Sequence, residues 1–272
     1  MSGWIAATLL AASTAAFQAP QPEPRSGVDE VWVEVAGRSI RALCTSSAPT
    51  VLFLHDAGAD ADDWRSVLEH LDTEAGACVY QRAATGGETG EVAPRGWFEL
   101  FEELRGVHDA LGARPGYVLV GQGVGAMYAR LFASTRPGAV GGLLLIEPSH
   151  EDLPQRLMPA MPAAAWTRWM ALRKELNPDG VREAELAARA RRTRVPGGIP
   201  MTVITATSRP VAEGWDERFV DEAARQAHES LVRGRAYGRH VPARAYGPDV
   251  ARDQPSLVAE EIERVLRIAG SS

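Results

Sequence analysis

Tyr117-Val118-Leu119-Val120-Gly121-Gln122-Gly123-Val124-Gly125-Ala126-Met127-Tyr128-Ala129-Arg130-Leu131-Phe132-Ala133 decides how this chain is read. An apolar β-type run, Tyr117 to Val120, enters a corner with three glycines, and Met127, Leu131 and Phe132 follow at helical spacing. Strand, sharp glycine turn, helix is the setting in which G-x-S-x-G presents a nucleophile. Here the corner reads Gly121-Gln122-Gly123-Val124-Gly125, with the outer glycines in place and Gly123 at the serine position. Such corners also hold phosphates, so this one has to be read with its surroundings.

Three further apolar runs end in marked loops. Thr50 to Leu54 is followed by His55-Asp56-Ala57-Gly58, Ala77 to Tyr80 by Gln81-Arg82-Ala83, and Gly142 to Ile146 by Glu147-Pro148-Ser149-His150-Glu151-Asp152. Helical stripes lie between them: Trp64, Val67, Leu68 and Leu71, then Trp97, Leu100, Phe101, Leu104, Val107 and Leu111. Val31–Val35, a turn at Ala36-Gly37, and Arg38–Cys44 predict a β-hairpin. Met201–Ala206 and Arg239–Ala245 predict two more strands, with helices over Trp215–Val232 and from Pro255 onward. Strands alternating with helices imply an α/β fold with a mostly parallel, doubly wound sheet.

These motifs, in this order, resemble the α/β-hydrolase superfamily, in particular its secreted bacterial esterase- and lipase-like branch. The resemblance spans about Val31 to Ile268. It implies one domain over residues 27–270, with a small helical lid inserted at about 147–200, where Pro, Met and Trp interrupt the strand–helix rhythm. It also implies a neighbouring pair at Cys44 and Cys78, since the superfamily's second and fourth strands lie side by side. A disulfide there fits an oxidising compartment; two buried free thiols are the other reading.

Acyl transfer on such a fold uses a nucleophile, a base, an acid and two N–H donors for the oxyanion. The resemblance puts the nucleophile at Gly123, which has no side chain. It puts the base in Tyr246-Gly247-Pro248-Asp249, ahead of a Pro-led helix, where Pro248 stands and cannot move a proton. The acid position is Glu147. The oxyanion donors fall on Val124 and on Asp56 or Ala57, although a carboxylate at Asp56 opposes an oxyanion if it points inward. His55, Gln122 and His150 are the further candidate pocket residues. Two losses at separate sites point to a non-catalytic protein that binds a small apolar to amphipathic ligand or a partner. The alternative is a hydrolase, lyase or cyclase acting through Glu147, His55 and His150.

Composition bounds the rest. The chain has 272 residues, 45% of them hydrophobic and 24% charged, with a net charge of −6. That describes a globular chain without a basic footprint for nucleic acid. No metal-ligand spacing or dinucleotide fingerprint occurs, so no metal or cofactor is expected. Trp4–Phe17 is an apolar run too short to span a bilayer. It has the length of a signal-peptide core, with small residues at Ser13–Ala16, but no Lys or Arg precedes it. Residues 1–19 are read as a signal peptide and the protein as secreted or periplasmic; a frayed helix on a cytoplasmic protein is the alternative.

Overall fold

The computed structural model describes residues 27–71, 76–82, 94–175, 177, 179–209, 211 and 215–270. The expected signal segment, and most of the glycine-rich stretch between Thr85 and Arg95, lie outside them.

In chain order the elements are β1 (Asp29–Val35), β2 (Arg38–Cys44), β3 (Val51–Leu54), α1 (Arg65–His70), β4 (Ala77–Tyr80), α2 (Trp97–Ala110), β5 (Tyr117–Gln122) and α3 (Val124–Thr135). Then come β6 (Val140–Ile146), α4 (Leu153–Leu157), α5 (Ala163–Glu175), α6 (Glu183–Ala190), β7 (Met201–Ser208), α7 (Glu217–Val232), β8 (Gly238–Tyr246), α8 (Val250–Asp253) and α9 (Pro255–Ala269). The sheet has eight strands in the order β1-β2-β4-β3-β5-β6-β7-β8. Only β2 runs against the others, pairing antiparallel with β1 and β4. This is the mostly parallel, helix-wound sheet that the alternation of runs implies.

Local chemistry accounts for the joints. Ala36 and Gly37 both have positive φ, 50° and 73°, the condition for a two-residue turn that matches strand twist. The inner strands β3 to β6 are apolar along most of their length because helices cover both faces. One buried cluster includes Leu119 and Leu145 with the α3 side chains, and a second includes Val120 and Leu144 with the α1 and α9 side chains. At the corner, α3 comes so close that a Cβ on Gly125 would overlap the Leu54 carbonyl. That close approach explains the outer glycines without any chemistry. Cys44 and Cys78 are cross-strand partners in β2 and β4, 4.2 Å apart at Cα, and form a disulfide.

The segment at 147–200 contributes packing at two places. Leu186 and Ala190 of α6 are buried in the same cluster as the α3 side chains, so α6 is part of the main body. Around α4 the apolar side chains pack on α7 and its approach, with Leu157 against Val220 and Ala223. The tryptophans stack among themselves: Trp166 on Trp169 at 5.1 Å, and Trp169 against Trp215 at 6.1 Å.

Candidate functional site

Strand β5 delivers the chain to Gly123, which takes φ 53° and ψ −120° and caps α3 with no side chain of its own. A non-glycine residue in such backbone carries a strain on the order of 1–3 kcal/mol. The cap comes instead from the loop after β3. Asp56 Oδ1 accepts the Val124 N–H at 2.8 Å and the Ala57 N–H at 2.8 Å. The two N–H groups expected as oxyanion donors therefore converge on a carboxylate of the chain itself. A negative group is well placed there, at the positive end of α3.

Gly123 and Asp56 are geometrically linked. A Cβ built on Gly123 would overlap the Asp56 carboxylate. The volume that a side chain at position 123 would need is thus filled by Asp56. Burial pushes the Asp56 carboxyl up from its ordinary value, against the lowering effect of the Val124 and Ala57 N–H groups.

The Asp56 loop is held by residues of two motifs. The Arg82 guanidinium donates to the carbonyls of both His55 and Asp56. Its Nε donates to Asp179 at 2.7 Å in a buried ion pair. Gln81 Oε1 accepts the Ala61 N–H at 2.7 Å, which pins the next turn of the loop.

His55 belongs to this scaffold. Its Nε2 accepts the Arg82 N–H at 3.0 Å, so Nδ1 carries the proton and donates to the Asp56 carbonyl at 2.8 Å. Burial and then the Arg82 charge hold its pKa far below the usual histidine range. A neutral imidazole with both nitrogens engaged has no free site for a substrate proton.

Asp56 lies on the wall of a cavity of about 340 Å³, with Ala57, Gln122, Val124 and Ser149. Asp63, Glu183 and Asp249 add carboxylates; Arg252 is the one arginine in the described lining and lies 3.7 Å from Asp63 and 3.4 Å from Asp249. No Met or Trp is among the described lining residues. Trp166, Trp169 and Trp215 pack on one another instead. Position 248 falls in a short 3₁₀ turn, Gly247–Asp249, beside the lining residue Asp249.

Glu147 follows β6 with a φ of 43°. It accepts the Ala206 N–H at 2.6 Å and faces Arg209 at 3.3 Å, and it is not part of the cavity lining. Burial pushes its carboxyl up to about 7, with Arg209 opposing. His150 lines a different cavity, behind Ser149, where its Nδ1 accepts the Asp152 N–H at 3.1 Å. Among the expected site residues, the fold thus unites Asp56, Ala57, Gln122 and Val124 at one cavity and leaves the side chains of His55, Glu147 and His150 outside it. Glu183, Asp63 and Arg252 had no motif to mark them; they reach the wall from separate elements.

No protein-family model matches the chain. It is 24% identical over 222 residues to an uncharacterized Bacillus subtilis protein, YqjL, covering 78% of this chain and 81% of that one. Among solved structures, a membrane phospholipase A described as a bacterial virulence factor superposes with a TM-score of 0.60 at 18% identity, covering 90% of this chain and 88% of that one. A carboxylesterase of Bacillus subtilis superposes with a TM-score of 0.59 at 13% identity, covering 89% and 92%. At these identities the likeness establishes the architecture: this chain has the α/β-hydrolase fold.

Proposed function

We propose that this α/β-hydrolase-fold protein is non-catalytic and uses the cavity beside Asp56 to hold a small ligand. One observation carries the reading. The Asp56 carboxylate occupies both the N–H pair of Val124 and Ala57 and the space above Gly123. A tetrahedral oxyanion needs those donors free, so three parts of an acyl-transfer machine are absent together: nucleophile, base and hole. The carboxylates of Asp56, Asp63, Glu183 and Asp249 disfavour an anionic guest, so the ligand is neutral or cationic. The disulfide supports an oxidising compartment, and with it export of the chain after loss of a signal segment.

The test is stepwise restoration, read by labelling with a serine-directed probe and by ester turnover. The native chain should be inert. The double variant Gly123→Ser, Pro248→His should stay unlabelled or misfold, because the introduced hydroxymethyl group and Asp56 compete for one volume. Adding Asp56→Gly should produce labelling at the introduced serine. Turnover by the native chain, abolished by Asp56→Asn, would instead establish an enzyme.

That enzyme is the second reading, and one observation favours it. Asp56 puts a carboxylate on the cavity wall in the place of the missing nucleophile. Carboxylates do serve as covalent nucleophiles. His55, Glu147 and His150 serve such a mechanism less well. His55 has both ring nitrogens bonded, Glu147 is tied to Ala206 and Arg209, and His150 faces the other cavity.

A further inference from the structure

Behind Ser149 lies a second cavity of about 300 Å³, bounded by the end of α6, the start of β7 and the end of α7. Its lining includes Arg130, Arg191, Arg194 and Arg235 against two carboxylates, Glu151 and Asp152. Both carboxylates are already neutralised. Glu151 takes Arg130 in a two-pronged pair at 2.8 and 2.9 Å, and Asp152 takes Arg191 at 3.1 Å. Burial raises the Glu151 carboxyl, but the Arg130 hydrogen bonds and charge outweigh it and hold the group at about 2. Glu151 is therefore a spent anion at every ordinary pH.

Arg194 and Arg235 remain. Among the described residues neither has a carboxylate partner; Arg194 donates to the carbonyls of Arg191 and Thr193, and Arg235 to those of Val195, Pro196 and Ile199. Arg235 Nε is buried with no hydrogen-bond partner. Burial, and then the Arg130 charge, pull its pKa down from the ordinary value. A half-buried arginine whose Nε–H is buried and unused, beside other arginines, is an incomplete arrangement. The hydroxyls of the wall are engaged within the chain: Ser230 Oγ donates to the Ala227 carbonyl at 2.6 Å and lies 3.3 Å from His150 Nε2, and Thr193 Oγ1 donates to the Arg189 carbonyl at 2.8 Å, so the arginines are the donors left for a guest.

We infer that this second cavity is a binding site for a compact phosphate-type dianion, held by Arg194 and Arg235. Two unneutralised guanidiniums match its two charges, and arginine forks suit tetrahedral oxyanions. Chloride offers no such match of shape and charge. The site does not depend on what occupies the Asp56 cavity, and it stands whether that cavity binds or reacts.

The experiment is calorimetric titration of the full chain with inorganic phosphate, at constant ionic strength set with chloride. Glycerol 3-phosphate and succinate are separate arms. Saturable binding of inorganic phosphate is expected. Arg194→Gln, at an exposed position, should weaken it roughly tenfold, the worth of a charge-assisted hydrogen bond. Asp249→Asn in the other cavity should leave it unchanged. Tighter binding of glycerol 3-phosphate would identify a phosphate ester as the physiological guest; equal binding would identify free phosphate. No saturable phosphate binding by the folded native chain, binding of succinate alone, or unchanged affinity in Arg194→Gln would overturn the assignment.

Discussion

The two cavities have similar volumes, about 340 and 300 Å³, yet their walls differ in sign. They meet at consecutive residues, Ser149 on one side and His150 on the other. In the first, a carboxylate from the chain has taken the two N–H donors that would serve a guest. In the second, the chain satisfies its own acids and leaves two arginines with carbonyl partners alone. The lesson concerns occupancy. A set of donors is available to a ligand only when no side chain of the protein already fills it, and that cannot be judged from the donors alone.

Freeing the first cavity should have the largest effect. Relative to Gly123→Ser, Pro248→His, the triple variant that also carries Asp56→Gly should turn over a generic ester roughly 10²–10³-fold faster, the usual worth of an oxyanion donor. Equal rates in the two would mean that Asp56 does not block the hole.

The loop between the cavities gives the next prediction. Glu147 begins it, with a folded pKa of about 7 against an ordinary 4.5. The folded chain therefore binds this proton more tightly than the unfolded chain. The stability it contributes is full below about pH 4.5 and is lost as pH rises to 7, an amount on the order of 3 kcal/mol. Denaturant titrations of Glu147→Gln should show a correspondingly flatter profile across that window. An unchanged slope would place the proton elsewhere.

Swaps at Asp56 sharpen the contrast further. Asparagine keeps an acceptor for the Val124 and Ala57 N–H groups, whereas alanine strands both. Asp56→Ala should thus be less stable than Asp56→Asn by about 2 kcal/mol, from unpaired buried donors. Matching unfolding curves would show that water serves those donors equally well. The smallest effect is expected in the second cavity: Arg194→Gln should move melting temperature in chloride by less than about 2 °C, while its phosphate-induced shift shrinks. A large loss of stability without phosphate would make Arg194 a structural residue.

Much of the fold could be read from residues in sequence. Period-2 and unbroken apolar runs mark the strands, and Gly121 and Gly125 mark the corner, because close helix–strand approach leaves no room for a Cβ there. Helical spacing likewise marks the faces of α2, α3 and α9. Less of the site could be read this way. The Met and Trp residues of 147–200 suggest an apolar roof, but a tryptophan's partners depend on how helices cross, and here they are other tryptophans. His55 and His150 look equivalent, as loop histidines after strands. Their hydrogen-bond partners separate them, and those partners come from remote elements such as Arg82 and Ser230.

The sequence by itself determined that positions 123 and 248 hold glycine and proline, neither of which has a side chain that attacks or moves a proton. It also determined the strand–helix alternation, through side-chain periodicity, which is a local property. Only the tertiary structure decided that Asp56 points inward to the N–H groups of Val124 and Ala57. That orientation depends on the Arg82 clamp on the loop and on the space left by the missing Gly123 side chain. The clamp and the Val124 bond join Asp56 to residues 26 and 68 positions away in the chain. The opposite signs of the two cavities were likewise a tertiary decision, because each wall gathers charges from elements far apart in the chain.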